Sequence, residues 1–221
     1  MDQPIKPKIG KNVLGCAGIF LLVLLLLILL ISFAIAKTGM VNVPLLAQWY
    51  RGPQPTRVVS AEPQSLEDFR SDLAGKFLSE ARKGKNPPYT ISITEAELTG
   101  ALMGGIEEGV RDEGWRESSA QSVIHPDRIE VLLKLQKEDR TAEFLIDFVP
   151  QIENGGVRLV PTSFQFGDYP IPVSIAERVA GSFFKRDFGI TTLSVGEARL
   201  SAITLKNGVM EITASPAVST P

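Results

Sequence analysis

Hydrophobic positions follow three successive patterns along the chain: an unbroken run, then a helical period, then alternation. From Val13 to Ala36 no side chain is charged, and Leu and Ile dominate Phe20 to Ile31. As a helix these 24 residues are about 36 Å long, against ~30 Å of bilayer hydrocarbon. A run this apolar is stable in lipid only as a helix that satisfies its own backbone hydrogen bonds. The pattern predicts a tail over 1–12 and a transmembrane helix over 13–36.

Beyond it, the prolines of Val41-Asn42-Val43-Pro44, Gly52-Pro53-Gln54-Pro55 and Glu62-Pro63 predict a stiffened stalk over 37–63. Each proline removes a donor and biases its predecessor toward extended backbone. Trp49 and Tyr50 suit either the outer headgroup layer or packing on the domain. Leu66, Phe69, Leu73, Phe77 and Ala81 recur at spacings of three and four, an amphipathic helix with Ser65 and Asp68 as its capping signal. A strand over Tyr89 to Ile93 leads into Thr94 and Glu97, spaced as a capping box. Leu98, Leu102 and Ile106 make the next helix's apolar face, and Gly104-Gly105 is expected to weaken its end.

After Trp115 the period becomes two. Ile129, Val131, Leu133 and Leu135 alternate with polar residues, as do Phe144, Ile146 and Phe148. Pro126-Asp127, Lys137 to Asp139, Asn154-Gly155-Gly156 and Asn207-Gly208 are the turns, the last being the strongest hairpin signal. One further helix is expected from about Val173 to Arg186, with Ile175, Val179 and Phe183 on one side. The fold class is α+β: an N-terminal transmembrane helix, then a curved antiparallel β-meander of about five or six strands packed by about three helices. The extracytoplasmic domain covers 64–214, and 215–221 is expected to be a flexible tail.

Charge orients the helix. Lys6, Lys8 and Lys11 precede it, whereas Lys37 and Arg51 follow, which favours a cytoplasmic N-terminus and a single-pass cell-membrane protein with its bulk outside. The alternative is a cleaved secretory signal, because Ala34-Ile35-Ala36 has the small-x-small form. The apolar run exceeds the ~7–15 residues of a signal core, so an uncleaved anchor is preferred. Leu14-Gly15-Cys16 superficially resembles a lipobox, yet that cysteine precedes the apolar run. Cys16 reads as a small apolar filler, with palmitoylation as the lesser alternative. It is the only cysteine, so no disulfide holds the outer part. The tail takes three of the 23 basic and one of the 25 acidic residues, leaving a net charge near −4 outside. That argues against nucleic acid as a partner.

Three stretches carry a family resemblance: Ile93-Thr94-Glu95-Ala96-Glu97-Leu98, the strand-turn-strand around Phe148-Val149-Pro150 and Asn154-Gly155-Gly156, and Phe166-Gly167-Asp168-Tyr169-Pro170-Ile171-Pro172-Val173 before a helix. Together, over roughly Ile91 to Ala214, they resemble the YpmS-like bacterial envelope proteins, which have one N-terminal span and an extracytoplasmic α+β domain. More distantly the order of elements is similar to LmeA-like proteins, associated with phospholipid or glycolipid. Gly104-Gly105 departs from the family's continuous helix. The resemblance implies a lipid-binding or envelope-assembly accessory domain and carries over no catalytic residue.

No catalytic signature stands out. His125, the sole histidine, precedes Pro126 at a strand end and reads as a turn residue; a triad around it would need a serine and a carboxylate supplied by the fold. Glu107, Glu108, Asp112 and Glu113 lack the spacing and glycine of a calcium loop and read as a solvated helix end. Neither Gly104-Gly105 nor Gly155-Gly156 matches a nucleotide-binding loop. Neither metal nor cofactor is expected. Phe144, Ile146, Phe148, Phe164 and Phe166 would converge across adjacent strands, either as core or as a curved apolar lining for an acyl chain. The expected role is a noncatalytic module binding lipid or lipid-linked glycan at the membrane. The alternatives are a scaffold for an envelope protein partner and, last, an envelope hydrolase.

Overall fold

The computed structural model describes residues 11–39, 50, 52–62, 64–83, 87–110, 116–138, 140–153, 156–175 and 198–216. Helix α1 (Lys11–Lys37) contains the apolar run. Its large apolar side chains from Ile19 to Ile31 are 43–68% exposed. It is long and apolar enough to cross a membrane. Gly39, at φ +72°, ends it, with the Thr38 and Gly39 amides donating back to the Ile35 and Ala36 carbonyls.

Helix α2 (Leu66–Arg82) starts where Ser65 accepts the Asp68 amide, and it buries Phe69, Leu73 and Phe77. Strand β1 (Tyr89–Thr94) then enters α3 (Glu95–Val110). The predicted capping box forms reciprocally: Thr94 N–H donates to Glu97 Oε2 at 2.8 Å, and Glu97 N–H to Thr94 Oγ1 at 3.3 Å. Gly104 and Gly105 do not end α3, which runs on to Val110. Two of its glycines serve close approach instead. A Cβ on Gly100 would lie 1.8 Å from the Glu62 carbonyl oxygen, and one on Gly104 2.6 Å from that of Gln64. One face of α3 is bare so that the incoming chain can lie on it.

The remaining strands are β2 (Arg116–Ile124), β3 (Ile129–Lys137), β4 (Arg140–Glu153), β5 (Gly156–Phe166), β6 (Tyr169–Pro170), β7 (Ala198–Lys206) and β8 (Val209–Pro216). The α+β class holds, with the strands in two antiparallel sheets ordered β1-β8-β7 and β2-β3-β4-β5-β6. Asn207-Gly208 joins β7 to β8 as expected, with Gly208 at φ +84°. Helix α3 lies against β2, α2 against β1, and β7 touches β4 and β5, so one core connects both sheets. Ser215 and Pro216, expected in the flexible tail, pair with Arg199 and Ala198. Of the expected helix from Val173, 173–175 form one helical turn. Its remainder, with Val179 and Phe183, lies outside the described residues, as do Lys6, Lys8, Trp49, Asp112, Glu113, Asn154, Gly155 and the chain after 216.

The segment expected as a stalk lies along the domain over its described part. Gly52 and Pro53 are buried. The Glu62 amide donates to the Ala96 carbonyl, and the Gln64 side-chain amide to that of Glu97. Prolines make this segment extended, and buried carboxylates of the domain give its polar groups partners. It is a strap.

Candidate functional site

Strand register decides where the five candidate lining residues fall. Phe144 pairs with Phe166, Ile146 with Phe164, and Phe148 with Pro161 across a bulge, whose extra residue on β5 is Thr162. All five share the inner face of the five-stranded sheet, in rows continued on β3 by Leu133, Val131 and Ile129. Ile146, Phe148 and Phe164 are core residues, 2–7% exposed. Phe144 and Phe166 are half-buried at the margin of that core. Their rings stack with centroids 5.0 Å apart, and Phe164 lies 6.0 Å from Phe144. The apolar cluster is therefore real and mostly closed, with its partly open end at Phe144 and Phe166.

That end is where α1 meets the domain. The Asp168 amide, two residues past Phe166, donates to the Lys37 carbonyl at 3.0 Å, and the Asp168 carboxylate lies 4.0 Å from Lys37 Nζ. Gly167, at φ +56°, lets this turn close onto the helix end: a Cβ there would lie 2.6 Å from the Lys37 carbonyl oxygen. Tyr50 packs beneath Gly39, and its hydroxyl donates to Glu143 Oε2 at 2.7 Å. Burial, then the bond to Glu143 and the charges of Glu143 and Asp168, raise the Tyr50 phenol well above its ordinary range, so it stays a donor. Lys134 pairs with the other Glu143 oxygen, and the Gly167 amide donates to the Glu143 carbonyl. Glu143, beside Phe144, thus joins strap, sheet and helix end.

The outer face carries a second polar group. Glu130 and Asp147 are directly opposite on β3 and β4. The Thr56 amide and hydroxyl donate to the two Glu130 oxygens at 2.6 and 2.7 Å. His125 Nε2, buried and without a hydrogen bond, faces Glu130 Oε2 at 3.8 Å. Arg128 Nε lies 3.5 Å from Asp147. Burial raises Asp147 above the usual carboxylate range, with Glu130 adding to the shift and Arg128 and His125 opposing it. The hydroxyl here bonds the carboxylate directly instead of reaching it through the imidazole, so Thr56, His125 and Glu130 do not have the order of a nucleophile, base and orienter. Among the described residues, no group of three or more His, Cys, Asp and Glu is placed to hold a metal ion.

A third cluster ties the far end. Arg57 bonds both oxygens of Glu95, Asn207 Oδ1 at 2.8 Å and the Ile124 carbonyl at 3.1 Å. Glu95 also accepts the Ile124 amide at 2.6 Å. In the sequence, Glu130 and Glu143 fall at the polar positions of alternating strands. Nothing local announced that the strap would cover them. Compared with known proteins, the chain matches no family model and no curated sequence.

Proposed function

We propose that this chain is an uncleaved, single-pass membrane protein with a cytoplasmic N-terminus, whose outer domain is a noncatalytic module binding the apolar part of a lipid or lipid-linked glycan. The observation that carries the reading is the docking of the α1 end onto the β5–β6 turn, two residues from Phe166. It sets the partly open end of the apolar cluster beside the place where α1 leaves the bilayer. An acyl chain needs an apolar surface and few polar groups, and the stacked Phe144 and Phe166 are such a surface at lipid level. The resemblance to YpmS-like proteins favours the same role.

Native mass spectrometry of the full chain, extracted from membranes in mild detergent, tests the reading. A full-length species should retain lipid at activation energies that strip loosely bound lipid. A lipid-free spectrum, or a chain beginning at Lys37, would contradict it.

A further inference from the structure

We infer that the β5–β6 turn with strand β6, Gly167 to Ile171, is a membrane-contacting element that lies in the lipid headgroup layer beside the last turn of α1. The inference rests on α1 being a retained transmembrane helix, and it goes beyond ligand binding to how the domain sits on the bilayer. Along α1 the exposed apolar surface gives way to cover on one side of its last turns. The large apolar side chains from Ile19 to Ile31 are open, as are Ala34 and Ile35, whereas Ser32 and Phe33 are half-buried and Ala36 is buried. The contacts at this covered end include Gly167 and Asp168 of the turn and Tyr50 under Gly39.

The Asp168 carboxylate meets Lys37, whose ammonium lies 5.6 Å from the centre of the Phe33 ring, one turn back toward the membrane. The turn therefore lies against the end of the helix, at the depth of Lys37 and Thr38. Length agrees. The uncharged run exceeds ~30 Å of hydrocarbon by about 6 Å, which is one helical turn. With Lys11 in the inner headgroup layer, that last turn falls in the outer one, and the β5–β6 turn beside it is held at the same depth. Aromatic and basic groups anchor at this layer, and Tyr169 and Lys37 supply them.

The partner is thus the lipid surface itself, touched at the β5–β6 hairpin. Asp127, in the β2–β3 turn, lies six residues along β3 from the row of Phe166, Phe144 and Leu133, about 20 Å at ~3.3 Å per residue. Spin labels in the full chain, with Cys16→Ser, reconstituted in phosphatidylcholine–phosphatidylglycerol nanodiscs, read the depth. Labels go on Pro170→Cys, Asp127→Cys and Leu26→Cys. Collisions with oxygen and with a water-soluble nickel chelate are then compared. The label at 170 should meet nickel at least five-fold less than the label at 127, and Leu26 should favour oxygen. A label at 170 as open to nickel as that at 127, with Leu26 still in lipid, overturns the inference and leaves the anchor standing. A Leu26 open to nickel overturns both.

Discussion

Among the glycines, position within α2 or α3 separates propensity from close approach. Gly75 on α2 has no atom within 4 Å of where a Cβ would sit, so Gly75→Ala should stabilise the domain by about 0.5–1 kcal/mol. Gly100→Ala should do the reverse, costing about 1–3 kcal/mol, because the methyl would meet the Glu62 carbonyl and push the strap off α3. Denaturant melts of the full chain in detergent separate the two signs. Glu97 ties capping to pH. Burial disfavours its charge, but the bonds from Lys76 and the Thr94 amide, with the Lys76 charge, outweigh that and hold its carboxyl below the usual range. A depressed carboxyl contributes stability above its unfolded value and loses it as pH falls. Glu97→Gln should therefore be less stable at neutral pH and decline less steeply in melts taken from about pH 5 to pH 3.

For the elements, the strap is the part with the clearest consequence. One strap residue, Arg57, reaches α3, the β2 end and the β7–β8 hairpin together. Arg57→Ala should cost about 2 kcal/mol and speed amide exchange at Ile124 and Gly208 together. Arg57→Lys should restore little, since an ammonium lacks the planar fork that spans both Glu95 oxygens. Most of these elements were legible beforehand. The α2 stripe, the Ser65 and Thr94 caps, the alternating strands and the Asn207-Gly208 turn all depend on neighbours within a few residues, and each formed. The strap was half legible: prolines announced an extended segment, but nothing short-range shows that Thr56 will meet Glu130, 74 residues away. The packing role of Gly104 was not legible for a similar reason. Those glycines disfavour helix locally, and Gly104 admits the Gln64 backbone onto a face whose packing only the fold creates.

At the level of the whole molecule, the apolar strand faces could be grouped from sequence, but not divided into core and margin. Alternation placed Phe144, Ile146, Phe148, Phe164 and Phe166 on one face. The two-sheet arrangement then closed over Ile146, Phe148 and Phe164, and left Phe144 and Phe166 half open beside the end of α1. On the proposed reading the molecule is a bilayer helix joined to its domain through Lys37, Asp168, Tyr50 and Glu143, with an aromatic margin at lipid level. Replacing Phe166 in the full chain by the photoreactive ring analogue p-benzoylphenylalanine, and irradiating it in native membranes, tests that most directly. The account predicts lipid adducts at position 166 and none when the same group replaces buried Phe164. Adducts confined to the protein's own residues at both positions would contradict it.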